Sequence, residues 1–289
     1  MPSTRTANRS GASRPGAAEA SELTRDVPPT RSSTRNAGSR SGAAAAQTVA
    51  RSAAPSTDGS PLGKFGGFSD EAIQFFLELQ AEQSRVWFKA HQGEYERLVR
   101  RPMQLFVEEL QRRLEDIYPH IGEVEPHIFR IQRDTRFAKD KVPYKTNIAA
   151  GLQIRLPKGD EDRHTTPGMH FSFGLDGEYV ALGMWYMEPA ILGRYRHLLD
   201  DPRRGKEIKA ITDRMVEGGW TLSSMEALKR VPSPYAQDHP CADLLRRKGL
   251  AASIQPTEGI SANPEYLDWA EGRLREAAPM MLWLDRHLA

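Results

Sequence analysis

Residues 130–145, Arg-Ile-Gln-Arg-Asp-Thr-Arg-Phe-Ala-Lys-Asp-Lys-Val-Pro-Tyr-Lys, hold the densest chemistry in this chain. Six are cationic (Arg130, Arg133, Arg136, Lys139, Lys141, Lys145) and two acidic (Asp134, Asp140), a local net charge of +4. Arginine forks grip planar oxyanions at two points, and lysine adds a mobile point charge. Pro143 holds Val142 extended and so sets the approach to Tyr144 and Lys145. Arg130, Arg133, Arg136, Lys141, Tyr144 and Lys145 are therefore candidates for binding the phosphate or carboxylate of a small anionic ligand. Asp134 and Asp140 are the candidate catalytic groups of an enzyme acting on it, or else orient the arginines. Two other readings stay open. The loop could serve a nucleic-acid or protein partner, or it could be a connector whose charges pair with one another.

The flanking sequence places this run between strands. Phe129 and Ile131 begin a short strand before it. After it, Ile148, Ala150, Leu152, Ile154 and Leu156 alternate with Asn147, Ala149, Gly151, Gln153 and Arg155, the period of a half-buried strand. A hairpin follows over 169–187. Met169, Phe171 and Phe173 share a face, Asp176-Gly177 forms the turn, and Val180, Leu182 and Met184 lie on the return arm. His170, Ser172 and Gly174 fall opposite the aromatics. With Ala149 and Gly151 they make a small-residue face that admits a ligand or a closely packed helix.

Helical periods bracket the strands. Ser69-Asp70-Glu71 opens a helix with Ile73, Phe76, Leu77 and Leu79 on its apolar side. A second carries Trp87, Phe88 and Tyr95 to about Arg100. Pro102 suits the first turn of a third, with a stripe of Met103, Phe106, Leu110, Leu114 and Ile117 ended by Pro119. Later helices start at Glu188-Pro189, Asp201-Pro202, Ala242 and Asn263-Pro264, and 250–254 reads as a strand. The expected fold class is α+β: an antiparallel sheet flanked by N-terminal and C-terminal helices.

Composition sets the domain limits. Residues 1–60 contain eight Arg, no Lys, four acids and no aromatic residue. Such a segment buries too little apolar surface to offset its ordering entropy. The expectation is a disordered Arg/Ser/Ala-rich tail over 1–62 and a single α+β domain over 63–289. The tail's Arg and Ser content also suits a targeting segment or a phosphate contact. Its charge is +4 and the whole chain is +2, so the rest carries 2 − 4 = −2, which argues against a broad DNA-coating surface. Cys241 is the one cysteine. That excludes an intramolecular disulfide and points to a reducing compartment. No run is long and apolar enough to span a bilayer, so the expected location is cytoplasmic, away from membranes.

Other residues carry less. His239 lies between Asp238 and Pro240 and reads either as an acid–base group or as a loop residue capping a helix. His164 and His170 lack metal-ligand spacing, and no metal is expected. No phosphate-binding loop, dinucleotide fingerprint or nucleophile elbow surrounds Ser223-Ser224 or any other residue, so no cofactor is assigned. Trp87 and Trp185 could stack on a ring, though core packing is their ordinary role.

From Phe65 onward the chain resembles the family known as domain of unknown function 2461. The stretch from Phe129 to Thr146 is similar to that family's hallmark. Supporting matches are Gly67-Phe68-Ser69, Trp87-Phe88, residues 183–189, 228–232 and 238–240, and Ala278-Pro279. The resemblance implies membership without implying an activity. Two positions depart from it: Gln83-Ser84 stands where relatives carry an Asn pair, and Pro234 precedes Tyr235 where relatives have a Gly before the aromatic.

Overall fold

The computed structural model describes residues 63–136, 139–157 and 166–288; the expected tail and His164 lie outside them. Six strands form one sheet: β1 (His127–Ile128), β2 (Asn147–Gln153), β3 (Gly168–Gly174), β4 (Tyr179–Met184), β5 (Thr221–Ser223) and β6 (Leu250–Ile254). Their spatial order is β1-β2-β3-β4-β6-β5, and every neighbouring pair is antiparallel. The expected α+β arrangement is what forms. After β4 the chain crosses through helices to lay β5 on the edge, then returns to insert β6 beside β4. Gly183 makes that insertion possible. It has φ +125°, and a Cβ there would stand 2.3 Å from the carbonyl oxygen of Leu250.

The helices are α1 (Asp70–Ala81), α2 (Arg85–Ala90), α3 (Gln92–Tyr95), α4 (Arg101–Arg113), α5 (Pro189–Asp200), α6 (Pro202–Glu217), α7 (Ala242–Leu245) and α8 (Glu265–Leu288). Phe106 of α4 meets Phe171 edge to face at 5.5 Å and stacks on Tyr266 of α8 at 4.9 Å. Phe68 stacks on Phe173 at 4.0 Å. The core therefore lies on the sheet face carrying Phe171 and Phe173, as the alternation predicts. Outside it, ion pairs join α4 and its C-terminal turn to α8. Arg275 holds Asp116 and Glu271, and Arg113 holds Asp268 and Glu271.

Three sequence expectations need correction. No break separates the second and third helices: α3 runs through a π-helical turn, Glu96–Arg100, directly into α4. Pro102 has no N–H to give, and a turn with shifted hydrogen bonds accommodates it inside a continuous helix. The helical stripe also ends early, at Arg113, before Leu114 and Ile117. The strand after the cationic run stops at Gln153. Past it Leu156 is half exposed while Arg155 turns inward to Asp285, 2.7 Å away. One strand has no counterpart in the sequence pattern: β5, without alternation, is an edge strand paired with β6. Among the described residues no helix is long and apolar enough to cross a membrane.

Candidate functional site

The cationic run is a hairpin-like ribbon that prolongs β1 and β2. Phe129 donates its N–H to the Ala149 carbonyl, Lys145 to Ile131, and Arg133 to Pro143. Gln132 pairs with Tyr144 across it. From the Ile128–Ala150 pair to the Gln132–Tyr144 pair the first arm spends four residues and the second six. Two residues are thus extra on the second arm, so the ladder is interrupted there.

Two side chains anchor it. Ile131 is buried, and Tyr144 is buried with its ring stacked on Phe88 of α2 at 4.5 Å. The Tyr144 N–H is donated to Gln83 Oε1 at 3.2 Å. Ser84 beside it caps α2 by accepting the Trp87 N–H. Gln83 and Ser84, one of the two departures from the family pattern, thus perform definite tasks next to the hallmark. Tyr144, a candidate ligand contact by sequence, is placed in the core.

The candidate ionic residues do not converge on one point. Asp134 and Arg136 form a two-point pair, with Nε and Nη2 reaching the carboxylate at 3.0 and 2.6 Å. The Arg136 backbone N–H joins at 3.1 Å. These bonds from Arg136 hold Asp134 far below the ordinary carboxylate range, with the Arg130 charge adding to the effect. Arg133 reaches Asp140 at 3.1 Å. The Val142 N–H and then Arg133 hold Asp140 low as well. Lys141 donates to the Thr135 carbonyl. The tip is therefore cross-linked by its own charges.

Two candidates face elsewhere. Arg130 lines an open cleft between the first ribbon arm and the π-helical turn. Phe129, Ile131 and Gln132 line it from the ribbon, and Gln92, Tyr95, Glu96 and Arg100 from the helices. Arg100 bridges Glu96 at 3.2 Å. Lys145 does not line this cleft; its charge bears on His170 of β3. Arg100 carries no signal of its own in the sequence, because only the fold brings the π-helical turn against the hallmark.

His170 lies on the small-residue face, paired in register with Gly151 of β2 and Ala181 of β4. It is 6% exposed, and its Nδ1 has no hydrogen-bond partner among the described residues. Burial first, and the Lys145 charge second, bring its pKa from the ordinary 6.5 down to about 3. An unfolded chain takes up a proton that the fold excludes. His170 therefore costs the fold nothing above about pH 6.5 and destabilises it progressively as the pH falls toward 3. Urea titrations of a His170→Gln variant should show a flatter stability curve over that window. Parallel curves for variant and native chain would contradict the assignment.

The remaining candidates have structural roles. His239 accepts the Cys241 N–H at 3.0 Å and faces Asp200 at 3.4 Å, just before the start of α7. Trp87 stacks on His91 at 4.0 Å. No group of three or more potential metal ligands occurs among the described residues.

Fold and site together define an α+β protein whose six-stranded antiparallel sheet projects a charged, self-bridged ribbon beside a cleft against the π-helical turn. The chain belongs to the family described as conserved hypothetical protein (DUF2461), whose model matches residues 71–283. No curated protein and no solved structure matches it.

Proposed function

We propose that this protein binds a small phosphate- or carboxylate-bearing ligand in the cleft between the ribbon's first arm and the π-helical turn. One observation carries the reading: the hallmark residues Phe129–Gln132 form a wall of this cleft, where Arg130 and Arg100 outnumber the single acid Glu96. A guanidinium has five donors, so Arg100 can keep Glu96 and still offer N–H groups to an anion. π-Helical turns recur at functional sites, and this one places Arg100 at the cleft. Arg133, Arg136 and Lys141 then serve by fixing the ribbon tip. Asp134 and Asp140 are both held ionised by their partners. A carboxylate so stabilised is a weak proton acceptor at neutral pH, which favours binding over acid–base chemistry at the tip.

Thermal shift against inorganic phosphate, sugar phosphates, nucleotides and dicarboxylates tests this. A ligand at 100 times its Kd stabilises by about 2.7 kcal/mol, or about 5–10 °C for a chain of this size. Arg130→Ala should abolish the shift while leaving the unliganded Tm within about 1 °C, as expected for a change at an exposed side chain. Shifts no larger than those from sodium chloride at equal ionic strength, or shifts retained in Arg130→Ala, would refute the proposal.

A further inference from the structure

Two guanidiniums serve an anion in the cleft between the ribbon's first arm and the π-helical turn, yet most of its lining is neither cationic nor charged. A bare phosphate or carboxylate leaves three further features without a task. The first is a pair of carboxamides facing one cleft from both sides, Gln92 on the helical wall and Gln132 on the ribbon wall. Both residues are exposed, so their amides are open to a ligand. The second is an apolar lining at depth. Phe88, Tyr95 and Ile131 are buried there, with the Phe88 and Tyr95 rings 5.5 Å apart. The third is Glu96, an exposed acceptor beside Arg100. These groups are ordered along the walls. Gln92, Glu96 and Arg100 follow at intervals of four residues, about one helical turn each, so the helical wall passes from amide through carboxylate to cation. On the ribbon wall Arg130 and Gln132 stand two residues apart. Each wall therefore carries one cation and one amide.

We propose that the ligand of this cleft is a nucleoside monophosphate, an inference that rests on the anion site assigned to Arg130 and Arg100. A carboxamide presents a donor and an acceptor side by side, which pair at two points with the edge of a nucleobase. Gln92 and Gln132 read the base, and its flat ring lies over the apolar lining. Glu96 accepts from a sugar hydroxyl. The phosphate meets Arg130 and Arg100, whose guanidinium forks match its geometry. Charge sets the number of phosphates. Two guanidiniums against one carboxylate leave 2 − 1 = +1 in the cleft, which suits one phosphate rather than a chain of three.

Calorimetry on the full chain tests the proposal with the 5′-monophosphates of adenosine, guanosine, cytidine and uridine. Ribose 5-phosphate controls for the base and the free nucleosides for the phosphate. At least one monophosphate should bind at least tenfold tighter than ribose 5-phosphate and than its own nucleoside. Gln132→Leu and Gln92→Leu should each weaken that nucleotide at least fivefold and leave ribose 5-phosphate within twofold. Arg130→Ala should weaken both ligands. These positions are exposed, so each variant should keep the native Tm within about 1 °C. Ribose 5-phosphate binding as tightly as every nucleotide, or both glutamine variants leaving the nucleotide unaffected, would overturn this inference while the anion site stands. A nucleoside binding as tightly as its monophosphate, or an Arg130→Ala variant that binds normally, would overturn both. No binding of any monophosphate at millimolar concentration, or a triphosphate binding tenfold tighter than its monophosphate, would also overturn the inference.

Discussion

Asp285→Ala is expected to destabilise the fold by about 3 kcal/mol, toward the lower end of what removing one partner of a buried ion pair costs. The Arg155 side chain is only 9% exposed, and its Nε donates to Asp285 at 2.7 Å. Besides the carboxylate it has the Leu156 carbonyl at 2.8 Å, and its Nη2 has no partner among the described residues. Without Asp285 a buried guanidinium keeps a single neutral acceptor. The partial exposure of Asp285, 29%, lets water offset some of the loss, which argues against the upper end of the range. Denaturant unfolding followed by circular dichroism reads the change directly. Arg155→Met combined with Asp285→Leu should recover most of it, because two apolar groups leave no charge to compensate. A cost below about 1 kcal/mol for Asp285→Ala would place the pair among ordinary surface bridges instead. The pair matters beyond stability because Arg155 follows the end of β2 and Asp285 lies on α8. It therefore ties the strand that leaves the ribbon to the longest helix.

The same pair shows where sequence reasoning stops. Alternation identifies β2, but it cannot say that the strand ends at Gln153, because an arginine turns inward only where a distant aspartate waits for it. The β3–β4 hairpin is legible because local signals agree: a period of two on both arms and an Asp-Gly turn. The segment β6 is legible as a strand, though its insertion between β4 and β5 is not. β5 escapes detection because three residues pairing with one neighbour need no pattern of their own. The break expected near Arg100 followed from Pro102, and it fails because a π-helical turn absorbs the missing donor.

For the candidate site, residue types were legible and their partners were not. Charge density marks 130–145, yet whether Arg136 serves a ligand or Asp134 depends on a turn too tight to infer from composition. His170 could be placed on the small-residue face from alternation. Its enclosure by Phe129, Tyr179 and Trp185 requires β1, β4 and the segment after β4 to meet across three registers. Phe129 could have been singled out in advance, since the strand pairing implied by the alternation puts it opposite a glycine-containing strand, where a ring has room to lie flat.

Tyr144→Ala should be about as damaging as losing Asp285, at about 3–5 kcal/mol for truncating a buried aromatic, and should fall most heavily on the ribbon. Tyr144 is 6% exposed and stacked on Phe88, and its backbone is held by Gln83. Without the ring, the hydrogen bonds between Arg133 and Pro143 and between Lys145 and Ile131 hold the arms with little apolar support. Hydrogen exchange should accordingly rise over 129–146 before it rises in β3 or β4, since local opening follows the loss of buried contacts. Tyr144→Phe keeps the stack and should stay within about 1 kcal/mol of the native chain, as shape-conserving core changes do. A loss below about 1 kcal/mol for Tyr144→Ala, or uniform exchange across the sheet, would show that the ribbon is held by something other than this ring. The consequence for binding follows from alternation: successive side chains on an extended arm point to opposite faces. With Tyr144 fixed in the core, Lys145 points to the other face of its arm, and across the ribbon Gln132 keeps its register beside Arg130. One buried ring thereby fixes the arm that pairs with the arm carrying Arg130, so Tyr144→Ala should also weaken anion binding in the Arg130 cleft.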